Sequence, residues 1–533
     1  MADAEHPRDR LFRLGARSLR KILTLQDRNP HSPTYGCFDR KFWHLRVTDF
    51  PSGMAQELVL PLALAYSYAF PDNSFKGAPA LREWTRAGIA YAMNSAHSDG
   101  SCDDYFPFEK AAGATAFSLY AILEALKITS IDDRPFLPFL ERRARWLGNH
   151  EESGRLSNHE ALIANALLRV GRRTGKKEFF DAARTKIDRL RGWQNPEGWF
   201  FEYQGADPGY LTLTIASLAE IDAEHPELEL RAPIMHAVHF LHALQPPDGW
   251  LGGEWTSRNT NNFFPHGLEI CGTWLEQALQ VNDRAIEALG NAPEYDDDTI
   301  IGHHCWSYLK AALEWKEVRP AAARSSPCYF PQAGYVVLQK DRLTLLVAMK
   351  KGGAFRLYRD NELVHSDTGL SALVQSRGRL QNLVSHLWSE NNEITVTQDS
   401  VTVIGPMGFA KSAQMTPMKS MLLRVLMLSV GRLYPDLVRR ALQRLLITGA
   451  PRSPLRFMRR LILDESRLQI EDTINGKASI LDVGAGPAQT SIYTVMSRVY
   501  HFPQLQPWND LSSDIRNGQD PCFQAVRQIE ALS

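Results

Sequence analysis

Glu197-Gly198-Trp199-Phe200-Phe201-Glu202-Tyr203-Gln204-Gly205-Ala206-Asp207-Pro208-Gly209-Tyr210 is the stretch on which the reading of this chain turns. An acidic residue and a glycine open a polar, aromatic loop. Asp207-Pro208 then cap and start a helix, whose apolar residues Leu213, Ile215, Leu218 and Ile221 follow. The pattern recurs. Asp99-Gly100-Ser101, Ser153-Gly154-Arg155 and Asp248-Gly249-Trp250 open loops of the same kind, giving a period of about 50 residues. Such a period holds one helical hairpin, two helices of about 15 residues with their connections. Stacked hairpins build either an open solenoid or a closed α/α toroid.

Loop chemistry favours the toroid. Each repeat feeds its helix through a start signal: Pro107, the capping box Ser157 with Glu160, Asp207-Pro208, and Pro265. In or beside those first turns stand Asn158 and His159, then Tyr210, then His266 after Asn261-Asn262. Any one of them reads as an ordinary solvated or packed residue. Their shared register is what singles them out, because a toroid puts equivalent helix N-termini at one mouth of a central funnel. Helix N-termini also favour anions. Asn158, His159 and Tyr210 are therefore candidate catalytic residues. His266, Asn262, Glu202, Trp199 and Asp207 are candidate substrate contacts.

Working outward, the helical texture ends near Trp315. After Arg319-Pro320 the apolar runs become short and β-rich, as in Tyr335-Val336-Val337-Leu338 and Val401-Thr402-Val403-Ile404. The expected fold class is α+β multidomain: an N-terminal incomplete α/α toroid, then an antiparallel β-sandwich with a helical insertion. The expected boundaries are an N-terminal segment over 1–50, a toroid over 51–318, a sandwich over 328–500 and an irregular tail over 501–533. The insertion, about 415–450, is basic and apolar between Met418 and Ile447. It reads as a helix packing on the sandwich or across a dimer, or else as a membrane-surface helix.

Composition bounds the function classes. The 533 residues are 44% apolar and 23% charged, which excludes disordered and fibrous chains. Lys and Arg together number 60, as do Asp and Glu, so no overall field attracts nucleic acid. Cysteines are scattered without metal-ligand spacing, no signal-like h-region opens the chain, and no apolar run spans a bilayer. These features point to a soluble cytoplasmic protein, with peripheral contact at the inner face of the membrane through 418–447 as a further expectation. No metal, cofactor or nucleic-acid partner is expected, and the oligomeric state is left open.

The loop from Glu197 to Tyr210 resembles the "DG-x-x-x-E…GY" stretch of heparinase II/III-type polysaccharide lyases, a superfamily that includes uronyl C5-epimerases. Ser157-Asn158-His159 is similar to the family's "S-x-N-H" element. Phe330-Pro331-Gln332-Ala333-Gly334 resembles the opening of its β-sandwich, and Arg459 through Gly476 its later strands. Leu363-Val364-His365-Ser366-Asp367 stands where the family carries "H-x-H-x-D", with one histidine of the two. The resemblance implies that Tyr210 is the acid/base, that Asn158 and His159 offset the substrate carboxylate, and that His365 reaches back to the cleft as a further catalytic residue.

That chemistry has a physical ground. The C5 proton of a uronate is weakly acidic until the adjacent carboxylate's charge is offset, and a side-chain amide can stabilise the enolate-like charge that develops. A tyrosine or histidine in reach can remove the proton or protonate the leaving O4. Elimination gives a lyase, and reprotonation on the opposite face gives a C5-epimerase. The implied partner is an acidic oligo- or polysaccharide. Two other readings stay open: an α/α-toroid glycoside hydrolase using a pair among Asp103, Asp104, Glu202 and Asp207, about 5 to 9.5 Å apart, and a non-catalytic glycan-binding or assembly protein.

Overall fold

The computed structural model describes residues 5–152, 154–203, 205–289, 297–298, 300–322, 326–376, 378–410, 414–435, 437–438, 441, 452–487 and 505–530. Its helices run α1 (Pro7–Leu25), α2 (Arg40–Trp43), α3 (Val59–Ser67), α4 (Pro79–Asn94), α5 (Ala112–Thr129), α6 (Leu137–Asn149) and α7 (Ser157–Thr174). They continue with α8 (Lys177–Trp193), α9 (Pro208–Glu224), α10 (Arg231–Leu244), α11 (His266–Cys271), α12 (Glu276–Ala288) and α13 (Ile301–Leu313).

Two kinds of helix alternate. In α5, sixteen of eighteen residues are buried, and α9 is buried from Pro208 to Asp222. A helix apolar all round has to lie inside. By contrast α1 and α8 bury one stripe and expose a charged face. The buried set, α3, α5, α7, α9, α11 and α13, makes the inner ring, each helix against the next, and α13 packs back on α3. The outer helix α1 packs on α13, so part of the 1–50 segment belongs to the ring.

The repeat glycines have a steric reason. Gly100, Gly198 and Gly249 all have positive φ, of 91°, 102° and 81°. A Cβ added there would lie 2.5 Å from Arg143 N, 2.3 Å from His236 O and 2.3 Å from Arg284 O respectively. Each signature loop is thus seated against the backbone of a later outer helix, α6, α10 or α12. No side chain fits in that seam.

The second half is an antiparallel β-sandwich. Strands β1 (Cys328–Phe330), β2 (Tyr335–Lys340), β3 (Leu343–Ala348), β4 (Ala354–Arg359) and β5 (Glu362–Asp367) form one sheet in that order. Strands β6 (Leu370–Ser376), β7 (Arg379–Val384), β8 (Glu393–Val396), β9 (Ser400–Phe409), β10 (Arg452–Leu463), β11 (Arg467–Asn475) and β12 (Ser479–Ala485) belong to the other, with β13 (Asn509–Asp510) and β14 (Phe523–Glu530). The core between them joins Val336, Leu345 and Leu357 to Ala372, Val403, Phe457 and Ile470. The expected irregular tail is corrected here. Although 501–504 and 531–533 lie outside the described residues, β14 pairs with β11 from Phe523 to Glu530. Its polar residues suit an edge strand and hide the alternation. The insertion between β9 and β10 begins as helix α14 (Pro417–Leu426) and passes into a π-turn over Met427–Gly431. Its remainder, from 442 to 451, lies outside the described residues.

The sandwich meets the toroid at the loops before α9 and α11. Arg356 makes a buried two-pronged pair with Glu254, both bonds at 2.9 Å. The Tyr335 hydroxyl donates to Ala206 O at 2.8 Å, and the Glu197 carboxylate accepts the N–H groups of Gln332 and Ala333.

Candidate active site at the mouth of the toroid

Asp207 builds the entrance of α9. Its carboxylate accepts the Tyr210 N–H at 3.0 Å, the Thr260 hydroxyl at 2.9 Å and the Arg258 N–H at 3.3 Å. This is an N-cap that also ties the 256–260 loop to the helix. Around it, Tyr203 and Asn259 hold positive φ without being glycine, and Phe108 and Lys110 do the same in the loop before α5. Such strain persists only where surrounding contacts over-determine the backbone, and it clusters at functional sites.

Glu202 and Asn158 form the centre. The Glu202 carboxylate, 1% exposed, accepts the Asn158 backbone N–H at 2.9 Å and its Nδ2 at 2.7 Å. Asn158 is fully buried at the start of α7; its Oδ1 makes no hydrogen bond, and Nδ2 keeps a second hydrogen. Arg258 Nη1 lies 3.5 Å from Glu202 Oε2 yet donates no hydrogen bond. The same guanidinium lies 4.3 Å from the ring centroid of Tyr210 and 4.7 Å from that of Tyr203. Burial pushes the Glu202 carboxyl up to about 7, against Arg258 and the Asn158 bonds, which pull it down. Burial also raises the Tyr210 phenol, with Arg258 opposing, so it stays protonated at neutral pH.

Of the residues singled out from sequence, Asn262 borders Tyr210. Gly209 packs on the Asn262 backbone, and the buried Asn262 amide faces the Tyr210 hydroxyl, whose pKa it helps to lower against burial. His159 lies at the edge of the group, its Nδ1 2.7 Å from Glu152 and its ring against Gly113 of α5. Burial disfavours its charge, but Glu152 outweighs burial and raises its pKa. Trp199 is buried, donates to Glu197 at 2.9 Å and packs edge-on against Phe201; it is a core residue.

Two expected residues are not brought to the mouth. The segment 262–266 runs down along α9, its Phe264 N–H on Thr212, so Gly267 packs against Ala216, about 9 Å along the axis from Tyr210. His266 therefore lies deep in the ring, bonded to Ser307 at 2.8 Å and 3.8 Å from Glu220. Burial and Lys310 push its pKa down to about 3. His365 is likewise misplaced by the resemblance. It sits on β5 stacked on Phe355, with Asp367, Arg459 and Arg527 as its charged neighbours. Asp367 is held inward by buried Arg459 at 2.8 Å, which fixes this strand end inside the sandwich.

The β half reaches the site elsewhere. Lys351 donates to Glu254 O, Thr256 O and the Asn259 side chain, and the Trp388 ring closes on Gly205. Burial pushes the Lys351 ammonium down to about 7. On the opposite rim Tyr105, 72% exposed, feels the charges of Asp104, Glu109 and Arg258. Sequence reasoning missed Arg258. Its signal was present, since it is the only Lys or Arg between Arg231 and Arg284 and it lies in a repeat loop.

The architecture, a helical toroid whose mouth is flanked by an antiparallel sandwich, is that of the α/α-toroid polysaccharide lyases. The chain is similar in fold to the chondroitin AC lyase of Streptomyces coelicolor A3, solved in complex with chondroitin sulphate, with a TM-score of 0.52 and 11% identity over 91% of this chain and 68% of that one. A tyrosine-to-alanine mutant of the same lyase matches with a TM-score of 0.50 and 10% identity, at the same coverage. No protein-family profile matches the chain, and no curated protein does.

Proposed function

We propose that this protein is a glycan-acting enzyme that abstracts the C5 proton of a uronic acid residue, as a β-eliminating lyase or a C5-epimerase acting in the cytoplasm. The observation that carries the reading is the largely buried Arg258 guanidinium, whose buried Nη1 makes no hydrogen bond, above the Tyr210 ring and beside the Glu202–Asn158 pair. Such a group suits a substrate carboxylate, because a bidentate guanidinium–carboxylate pair recovers the cost of burying the charge. The second hydrogen of Asn158 Nδ2 can join it as charge develops at C5. His159, with Glu152 behind it to stabilise the imidazolium that forms, takes the C5 proton. The Tyr210 hydroxyl donates its own, to O4 as the C4–O4 bond breaks in elimination or to the opposite face of C5 in epimerisation, after which both groups re-equilibrate with solvent. Glu202 fixes the Asn158 amide and shares Arg258. The fold supports the reading, since the chondroitin AC lyase that it resembles was solved in complex with chondroitin sulphate.

The hydrolase alternative has lost two of its four carboxylates. Asp103 accepts the Phe108 and Lys110 N–H groups and faces His97, and Asp207 is the cap described above. A screen over uronate glycans tests the proposal. Absorbance of an unsaturated uronate marks a lyase, and solvent deuterium at C5 without cleavage marks an epimerase. New reducing ends with neither signal would refute both.

A further inference from the structure

The insertion after β9 has no role in the chemistry above, and its surface is unusual. No residue of α14 is buried. Met418, Met421, Leu422 and Val425 are all at least 63% exposed, and Leu433 and Tyr434 beyond the π-turn continue the exposed apolar surface. So large a contiguous apolar patch on a water-soluble surface marks a contact site. Between Phe409 and Arg452 the sequence carries seven Lys or Arg against one acidic residue, Asp436, in a chain that is otherwise balanced.

Two contacts aim this patch. Arg424 pairs with Asp49 at 3.0 Å and lies 5.8 Å from the Phe50 ring, in the segment that leads into α3. Arg432 lies over Phe108, in the loop before α5. Both partners precede inner-helix N-termini, so the insertion stands at the same end of the toroid as Tyr210.

We infer that the exposed apolar surface of α14 and of Leu433 and Tyr434, with Lys419 among its side chains, docks on an anionic lipid surface and holds the mouth of the toroid against it. Apolar side chains entering the interface, with cations among them facing lipid phosphates, are what such binding requires. A second copy of the chain fits less well, because matching patches would bring cations against cations. The inference does not depend on which reaction the site performs.

Sedimentation of the full chain with vesicles tests it. Phosphatidylcholine vesicles containing phosphatidylglycerol should bind at least tenfold more tightly than phosphatidylcholine alone, and raised salt should release the protein. Lys419→Gln should weaken binding about fivefold, and Leu422→Glu with Leu433→Glu at least tenfold, with an unchanged circular dichroism spectrum because both leucines are exposed. Equal binding to both vesicle compositions, or binding to neither, would overturn the inference. So would a dimer in light scattering that the double leucine variant splits while vesicle binding is absent.

Discussion

Arg258→Gln tests the site most sharply. Two carboxylates would compete for this guanidinium: Glu202, 3.5 Å away, and that of the substrate. At an effective dielectric constant near 20, a unit charge about 4 Å from a cation gains about 4 kcal/mol. The substrate carboxylate is already charged in the ground state, so that part of the attraction sets binding and is partly cancelled by desolvation. Removing the C5 proton delocalises a further charge onto the same group, and this increment alone lowers the barrier. Losing it should cost kcat about 10³-fold, while KM rises by roughly one to two orders of magnitude. Arg258 also pulls down the Glu202 and Tyr210 pKa values, so both should rise in the variant. Steady-state kinetics on the glycan identified by the screen, with circular dichroism to check folding, give the answer. A variant whose kcat stays within tenfold of wild type would show that Arg258 only binds, and the proposed stabilisation would be wrong.

Further expectations follow from the same geometry. Tyr210→Phe keeps the ring under Arg258 and should lower turnover 10² to 10⁴-fold with binding of an acidic oligosaccharide nearly intact, measured by calorimetry; a fully active variant would remove tyrosine from the mechanism. Glu202 is protonated below about pH 7 and leaves Arg258 free, whereas above it the ionised carboxylate repels an acidic ligand. The dissociation constant should therefore rise with pH above about 7, by at most tenfold per unit, and become flat in Glu202→Gln; a flat wild-type profile would contradict this. Gly205→Ala would place a methyl 2.3 Å from the Trp388 ring, and such overpacking costs typically 1 to 3 kcal/mol, so the thermal midpoint should fall. An unchanged midpoint would mean that the toroid and sandwich do not meet there.

Local physics made much of this protein readable from its sequence. The spaced glycines, each with a cap or proline downstream, announced helical hairpins, since a seam between loop and helix backbone admits no Cβ and a helix start needs an acceptor. All-apolar helices announced an interior ring, and the β-branched runs after Pro327 announced the sandwich. Asn158, Glu202, Asp207 and Tyr210 were legible because they sit at fixed offsets from those signals. Tertiary structure decided the rest. Arg258 stands 48 residues after Tyr210 in sequence and meets its ring only because Asp207 ties the two loops together. His266 kept the register of a helix start but lost the mouth, because its segment runs about 9 Å down α9 before the helix begins. His365 was drawn into the sandwich by Asp367 and Arg459, a pairing across 92 positions of the chain. Helix starts and turns depend on neighbours within a few residues. Which side chains share a cavity depends on where the backbone between them travels, and that is settled by the packing of the whole chain.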